Sequence, residues 1–201
     1  MGENIPIFYP KNKSESFFKL KNSKFYGFLI PCSHVEEAEN EIKRLKKVYY
    51  DATHVCYAFQ IGFQNTLYRA NDDGEPTYSA GIPIYRKIVA YQVSNILIAV
   101  VRYFGGTKLG ISGLIEAYET TAELALQNTQ LTKYIPKVKL SFSISYHKTS
   151  YLYAVLRNFE HQFLQEQYNE ENAFLEIEVN QEDEEKIIKI LLNYQIYLQK
   201  F

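Results

Sequence analysis

Six consecutive apolar residues, Ile96 to Val101, run straight into Arg102-Tyr-Phe-Gly-Gly-Thr-Lys-Leu-Gly110. An unbroken apolar run of that length reads as a strand covered on both faces, so the fold must place structure on each side of its sheet. Gly105, Gly106, Gly110 and Gly113 then let the backbone take positive φ or approach another group closely. The segment from Gly110 reads as a helix burying Leu114, Ala117, Tyr118, Thr121, Leu124 and Ala125. Free amides at its start, beside the cations Arg102 and Lys108, form a recipe for holding an anion. The turn fits neither standard nucleotide loop. Ile111 follows Gly110 where a Walker loop needs lysine, and no Gly-x-Gly-x-x-Gly is present. Two readings stand: a phosphate nest over residues 105–110, or a tight turn whose glycines serve packing.

A second constellation lies upstream. Asp72, Asp73 and Glu75 fall within four residues, pinned by Gly74 and Pro76, with Thr77 and Ser79 just before a helix expected to start near Pro83. Such carboxylates suit Mg²⁺. They suit equally well ion pairs with Arg102 or Lys108, or a solvated turn. Ser79 adds a candidate donor at the helix start. His54 and Cys56 lie two apart in a strand expected over 53–61, on one face, near Asp51. Two readings stand there, a Cys–His–Asp nucleophile and a structural pair. Tyr103 and Phe104 flank the turn, where exposed rings beside cations can stack bases. His34, His147 and His161 have no metal spacing.

The remaining chain sets the frame. With 201 residues, 46% hydrophobic, it has room for two domains with cores. A net charge of −1 argues against a strongly basic nucleic-acid binder, though the first 134 residues are slightly basic and the rest slightly acidic. Two distant cysteines, Cys32 and Cys56, suit a reducing compartment. The opening residues lack an apolar signal core, so the expectation is a soluble cytoplasmic protein. Before residue 134 the pattern predicts strands over 16–20, 24–31 and 53–61, with a hairpin partner over 65–69. A helix capped by Ser33 and Glu36 is expected between the second and third. Residues 132–136 read as a linker. Residues 136–201 then read βαββαβ, the ferredoxin-like order, closing with a strand over 194–201.

Three motifs in order carry a resemblance: Asp51-Ala-Thr-His-Val-Cys-Tyr-Ala-Phe59; Asp72-Asp-Gly-Glu-Pro76 with Ala80-Gly-Ile-Pro83; and Arg102 to Gly110 with Gly113-Leu and Ala117-Tyr118. Together they resemble the IMPACT family in its bacterial, YigZ-type two-domain form, over roughly residues 15–130. The resemblance implies an α+β protein. Residues 1–134 would take the ribosomal-protein-S5 domain-2-like fold, followed by a ferredoxin-like domain over 136–201. It also implies a link to control of translation. Tyr78 and Ser112 stand where glycines are usual in the family, and Glu116 where a basic residue is common.

The expectation is therefore a non-catalytic, translation-associated regulator that binds RNA, the ribosome or a translation partner through its first domain. Arg102, Gly105, Gly106, Lys108, Gly110 and Ser79 would face the anion, with His54 and Tyr103 secondary. Asp72, Asp73 and Glu75 would order the loop, alone or around Mg²⁺. The alternatives are a metal-assisted hydrolase or phosphotransferase using that loop, and an adaptor acting only on proteins.

Overall fold

The structure is a computed structural model that describes residues 7–64 and 66–199. It is a mixed α/β protein in two compact units, Met1–Tyr134 and Ile135–Phe201. The opening residues 1–6 and the expected contribution of Asn65 to a hairpin lie outside the described residues.

The first unit is built on a five-stranded sheet ordered β2-β3-β6-β4-β5, comprising β2 (Ser14–Leu20), β3 (Ser23–Pro31), β6 (Ile96–Tyr103), β4 (His54–Ile61) and β5 (Leu67–Asn71). All neighbours are antiparallel. As the apolar run requires, β6 is central and buried from Ile96 through Arg102. Helix α1 (Val35–Val48) packs Ala38, Ile42 and Leu45 against Val55, Phe59, Leu97, Ala99 and Val101 on one face. Helices α2 (Gly81–Ala90) and α3 (Gly110–Gln127) pack Ile84, Ile88, Leu114, Ala117 and Tyr118 against Ile96, Ile98 and Val100 on the other. Each fully buried Ile or Leu side chain contributes roughly 1.5–3 kcal/mol.

Three local expectations need correction. Helix α1 is capped at His34, one residue later than Ser33, and Glu37 rather than Glu36 reaches back, accepting the Ser33 amide at 2.7 Å. Helix α2 starts two residues before Pro83, because Asp72 caps it from a distance. The expected linker at 132–136 is partly a strand: β7 (Leu131–Lys133) pairs with β1 (Phe8–Pro10) in a small separate ribbon.

The second unit has a three-stranded antiparallel sheet ordered β8-β10-β9, comprising β8 (Lys137–Ser145), β10 (Asn172–Asn180) and β9 (His161–Tyr168). Leu140, Phe142, Ile144, Leu175, Ile177 and Val179 alternate inward, against Leu152 and Leu156 of α4 (Tyr146–Leu156) and Ile187 and Leu191 of α5 (Glu184–Leu192). The closing strand expected over 194–201 reduces to an isolated bridge, Phe142 with Leu198, on the free side of β8; residues 200 and 201 lie outside the described residues.

Candidate functional site

The loop between β5 and α2 is tied down at every carboxylate. Asp72 Oδ1 accepts the amides of Ala80 and Gly81 at 3.0 and 2.8 Å, and its Oδ2 accepts Tyr78 N–H at 2.9 Å. That carboxylate satisfies the first turn of α2, whose own N-cap Ala80 has no side chain to do so. Asp73 Oδ2 accepts the Val55 amide at 2.7 Å, and Lys46 donates to its Oδ1. The turn runs through positive φ at Asp73, Gly74 (φ +90°) and Tyr78 (φ +63°). A left-handed backbone at position 78 is a conformation that glycine takes most readily, yet Tyr78 occupies it, 68% exposed.

Glu75 points inward, its side chain only 3% exposed. Its Oε1 accepts Arg102 Nη1 at 2.5 Å and the Tyr118 hydroxyl at 2.8 Å, while its Oε2 lies 3.9 Å from His54 Nε2. Arg102 is 5% exposed and lies between the rings of Phe25 and Phe104, 5.5 and 5.6 Å from their centroids. Its Nε is buried without a partner. His54 Nδ1 sits 2.7 Å from the Asp73 carbonyl oxygen, which can only accept, so Nδ1 carries the proton and Nε2 faces Glu75. The Cys56 thiol lies 3.0 Å from the Asp72 carbonyl and 3.2 Å from the Tyr118 hydroxyl.

This geometry redraws the expected site. Arg102 is not at the surface awaiting phosphate: a charge placed there must be neutralised internally, and Glu75 does so. Asp72, Asp73 and Glu75 do not suit Mg²⁺, because their oxygens diverge toward separate protein donors. Among the described residues no three His, Cys, Asp or Glu side chains are grouped to share a metal ion. The Ser79 hydroxyl is buried and donates to the Pro76 carbonyl at 2.7 Å. Tyr103 lies on the opposite sheet face, donating to Asp51 at 2.8 Å. The Cys–His pair does not form a nucleophile. Burial pushes the Cys56 thiol up, away from thiolate, and His54 is engaged by Asp73 and Glu75.

The turn itself divides into two parts. Phe104 N–H donates to Thr53 Oγ1 at 2.9 Å and Gly105 N–H to Ser23 Oγ at 3.1 Å, so the first two amides are taken. Beyond them, the amides of Gly106, Thr107 and Lys108 have no partner among the described residues. Gly106 and Gly110 hold φ at +83° and +75° in open space, and α3 begins at Gly110 without a side-chain cap. Lys108 is exposed and makes no ion pair among the described residues. The anion-binding recipe thus contracts to residues 106–110 with one cation. Residues that sequence reasoning missed are Tyr118, read only as core, and Ser23 and Thr53, which brace the turn across the sheet. Ser23 beside Gly105 had no signal in the linear order.

Burial also raises other groups. Cys32 is pushed up to about 12, by desolvation first and then by Glu37 and Glu41; Tyr118 is raised by desolvation, then by Cys56 and Glu75. A folded state that keeps protons the unfolded chain would release is fully favoured below about pH 8.5 and loses that advantage as pH rises. The urea midpoint should therefore fall between about pH 8 and pH 11. A midpoint that stays level or climbs over that range refutes this.

A five-stranded antiparallel sheet covered on both faces, an acidic loop whose carboxylates are all bonded within the protein, and an open glycine turn define the first unit as a mixed α/β domain. Residues 21–126 match the Impact N-terminal domain, and the chain belongs to the IMPACT family. It is 39% identical over 111 residues to the IMPACT family member YvyE of Bacillus subtilis, a match covering 55% of this chain and spanning about half (51%) of that relative's length. It is 30% identical over 140 residues to YigZ of Escherichia coli K12, covering 69% of each chain. A crystal structure of a hypothetical protein superposes over 98% of this chain and 97% of its own with a TM-score of 0.66 at 24% identity, a likeness of fold.

Proposed function

We propose that this chain is a non-catalytic, translation-associated binding protein of the cytoplasm. Its first unit grips phosphate of RNA, free or ribosomal, at residues 106–110. The observation that carries this is the row of unpartnered amides at Gly106, Thr107 and Lys108, beside exposed Lys108, leading into an uncapped helix. The translation setting comes from the family resemblance. So do the finer fold assignments: an S5 domain-2-like first unit and a ferredoxin-like second. The Phe142–Leu198 bridge supports the latter by putting Leu198 beside β8.

The loop 72–79 then acts as a brace. It locks β4, α2 and α3 to the end of β6, so the turn is held rigid before anything binds. An adaptor for protein partners is the second reading, favoured by the exposed side chains of Phe104, Tyr78 and Ile111 on the turn, the loop and the helix start.

Sedimentation with ribosomes and with total RNA at rising salt tests the proposal. Lys108→Gln should weaken binding about three- to tenfold at low salt and lower the salt slope by about 0.7–0.9, one phosphate contact. Binding that is insensitive to salt and to this substitution overturns the phosphate reading and leaves the adaptor.

A further inference from the structure

The face of the five-stranded sheet that carries α1 is only partly covered. Helix α1 packs chiefly on β4 and β6. The β2–β3 hairpin end of that face is left open, and the register places its side chains in rows. Lys19, Lys24 and Tyr103 form one row, and Phe17, Tyr26 and Val101 the next. Phe17 is 51% exposed, with its ring 5.1 Å from that of Tyr26, which in turn lies edge-on to Tyr103 at 6.1 Å. A cleft of about 500 Å³ opens beside them, lined by Asn22, Lys24, Tyr26, Tyr49, Tyr103 and Phe104.

The charges on this face are unbalanced. Lys19 and Lys24 are direct cross-strand partners, an arrangement of like charges that costs stability. Lys21 sits at the hairpin tip between them, at φ +43°. None of the three has a carboxylate partner among the described residues. The nearby acids are Asp51, whose Oδ1 already accepts the Tyr103 hydroxyl at 2.8 Å, and exposed Glu15, opposite Phe28 one row further on. Three uncompensated lysines beside three rings attract a ligand that brings both negative charge and flat π-faces. The tip also abuts the glycine turn, since Gly105 donates to Ser23.

We propose that this open face binds single-stranded RNA. Bases would stack on Phe17, Tyr26 and Tyr103, and phosphates would meet Lys19, Lys21 and Lys24. The bases of a duplex are stacked inward and cannot reach the rings, so the surface selects unpaired strands. The carboxylates of an acidic protein segment would answer the lysines but bring no flat π-face to the rings. The RNA assignment, as against DNA, rests on the translation reading above. The stacking surface itself does not.

The test is fluorescence anisotropy of a fluorescein-labelled twelve-nucleotide uridine-rich RNA with the full chain, alongside the same strand as DNA and as RNA duplex. Single-stranded RNA should bind best. Phe17→Ala with Tyr26→Ala should weaken it at least tenfold, by lost stacking on two rings. Lys19→Gln with Lys24→Gln should lower the salt slope by about 1.4, two single-strand contacts. Ultraviolet crosslinking should mark the peptide holding Phe17 or Tyr26. If the double aromatic variant melts early, Phe17→Ser alone, at an exposed site, should still weaken binding at least threefold. Duplex bound as tightly, or no effect of the aromatic and lysine substitutions, overturns the surface; DNA bound as tightly overturns the assignment to RNA. If Lys108→Gln weakens RNA binding and the hairpin variants do not, the inference fails while the glycine-turn reading stands. If the hairpin variants weaken binding and Lys108→Gln does not, the hairpin surface stands and the glycine-turn reading fails. No binding at all removes both.

Discussion

Arg102→Ala is expected to cost about 3–5 kcal/mol, lowering the melting temperature of the first unit by roughly 10–20 °C. The reason is what it would leave behind. Glu75 is buried against Arg102, Tyr118 and the edge of His54, and without the guanidinium it becomes a carboxylate with no counter-charge. Glu75→Ala should cost a similar amount by stranding Arg102, whose Nε already lacks a partner. Replacing both with apolar residues, Glu75→Leu and Arg102→Met, should recover most of the loss, because a buried pair scarcely outweighs its own desolvation. A double-mutant cycle read by urea unfolding measures this. Single variants within about 1 kcal/mol of the parent would sink the claim that the pair is buried and mutually dependent. The pair also separates stability from binding. At a temperature where Arg102→Met/Glu75→Leu stays folded, the salt slope for RNA should match the parent's, since Arg102 faces no phosphate. Lys108→Gln should do the reverse.

The contrast between Arg102 and Lys108 locates where the linear order stops being informative. Both are cations flanking one glycine turn, and spacing alone gives them one role. Strand alternation separates them. Arg102 shares its sheet face with Val100 and Ile98, beneath α3, whereas Lys108 lies past the strand's end. The central strand was readable because six apolar residues in a row leave no polar side to turn toward water, so both faces of the strand must be covered. Asp72 as the cap of α2 was not, because the capped amides lie eight and nine residues downstream and no local pattern spans that gap. The ion pair between the acidic loop and Arg102 was one of the open alternatives, and tertiary packing decided it. The lysine and aromatic alternation at Phe17-x-Lys19 and Lys24-x-Tyr26 stood in the open, but it reads as an ordinary half-buried strand until the register aligns the two halves. The closing strand over 194–201 failed differently: Gln195 at φ +56° interrupts the extended backbone just where the strand should begin.

Gly105→Ala should be the most damaging single change at the turn, and Gly106→Ala one of the mildest. A Cβ at position 105 would lie 2.1 Å from the carbonyl carbon of Asn22 and 2.3 Å from the amide nitrogen of Ser23. Those are backbone atoms of the hairpin tip, with no flexible side chain to swing aside. The turn and the hairpin must separate, breaking the bond from Gly105 N–H to Ser23 Oγ and unseating the neighbouring Phe104 from Arg102. Overpacking of this kind costs about 1–3 kcal/mol, and the lost hydrogen bond adds about 1 kcal/mol. At Gly106 an added Cβ meets nothing within 4 Å, and only the positive φ opposes it, at about 1–2 kcal/mol. The two variants should therefore differ in function more than in stability. Gly105→Ala moves Lys21 and Lys24 relative to Lys108 and should weaken RNA binding by tenfold or more even where the protein is fully folded. Gly106→Ala leaves that arrangement standing and should bind within about threefold of the parent. Equal binding by both variants, measured by anisotropy below their melting temperatures, would mean that the hairpin and the turn do not act as one surface.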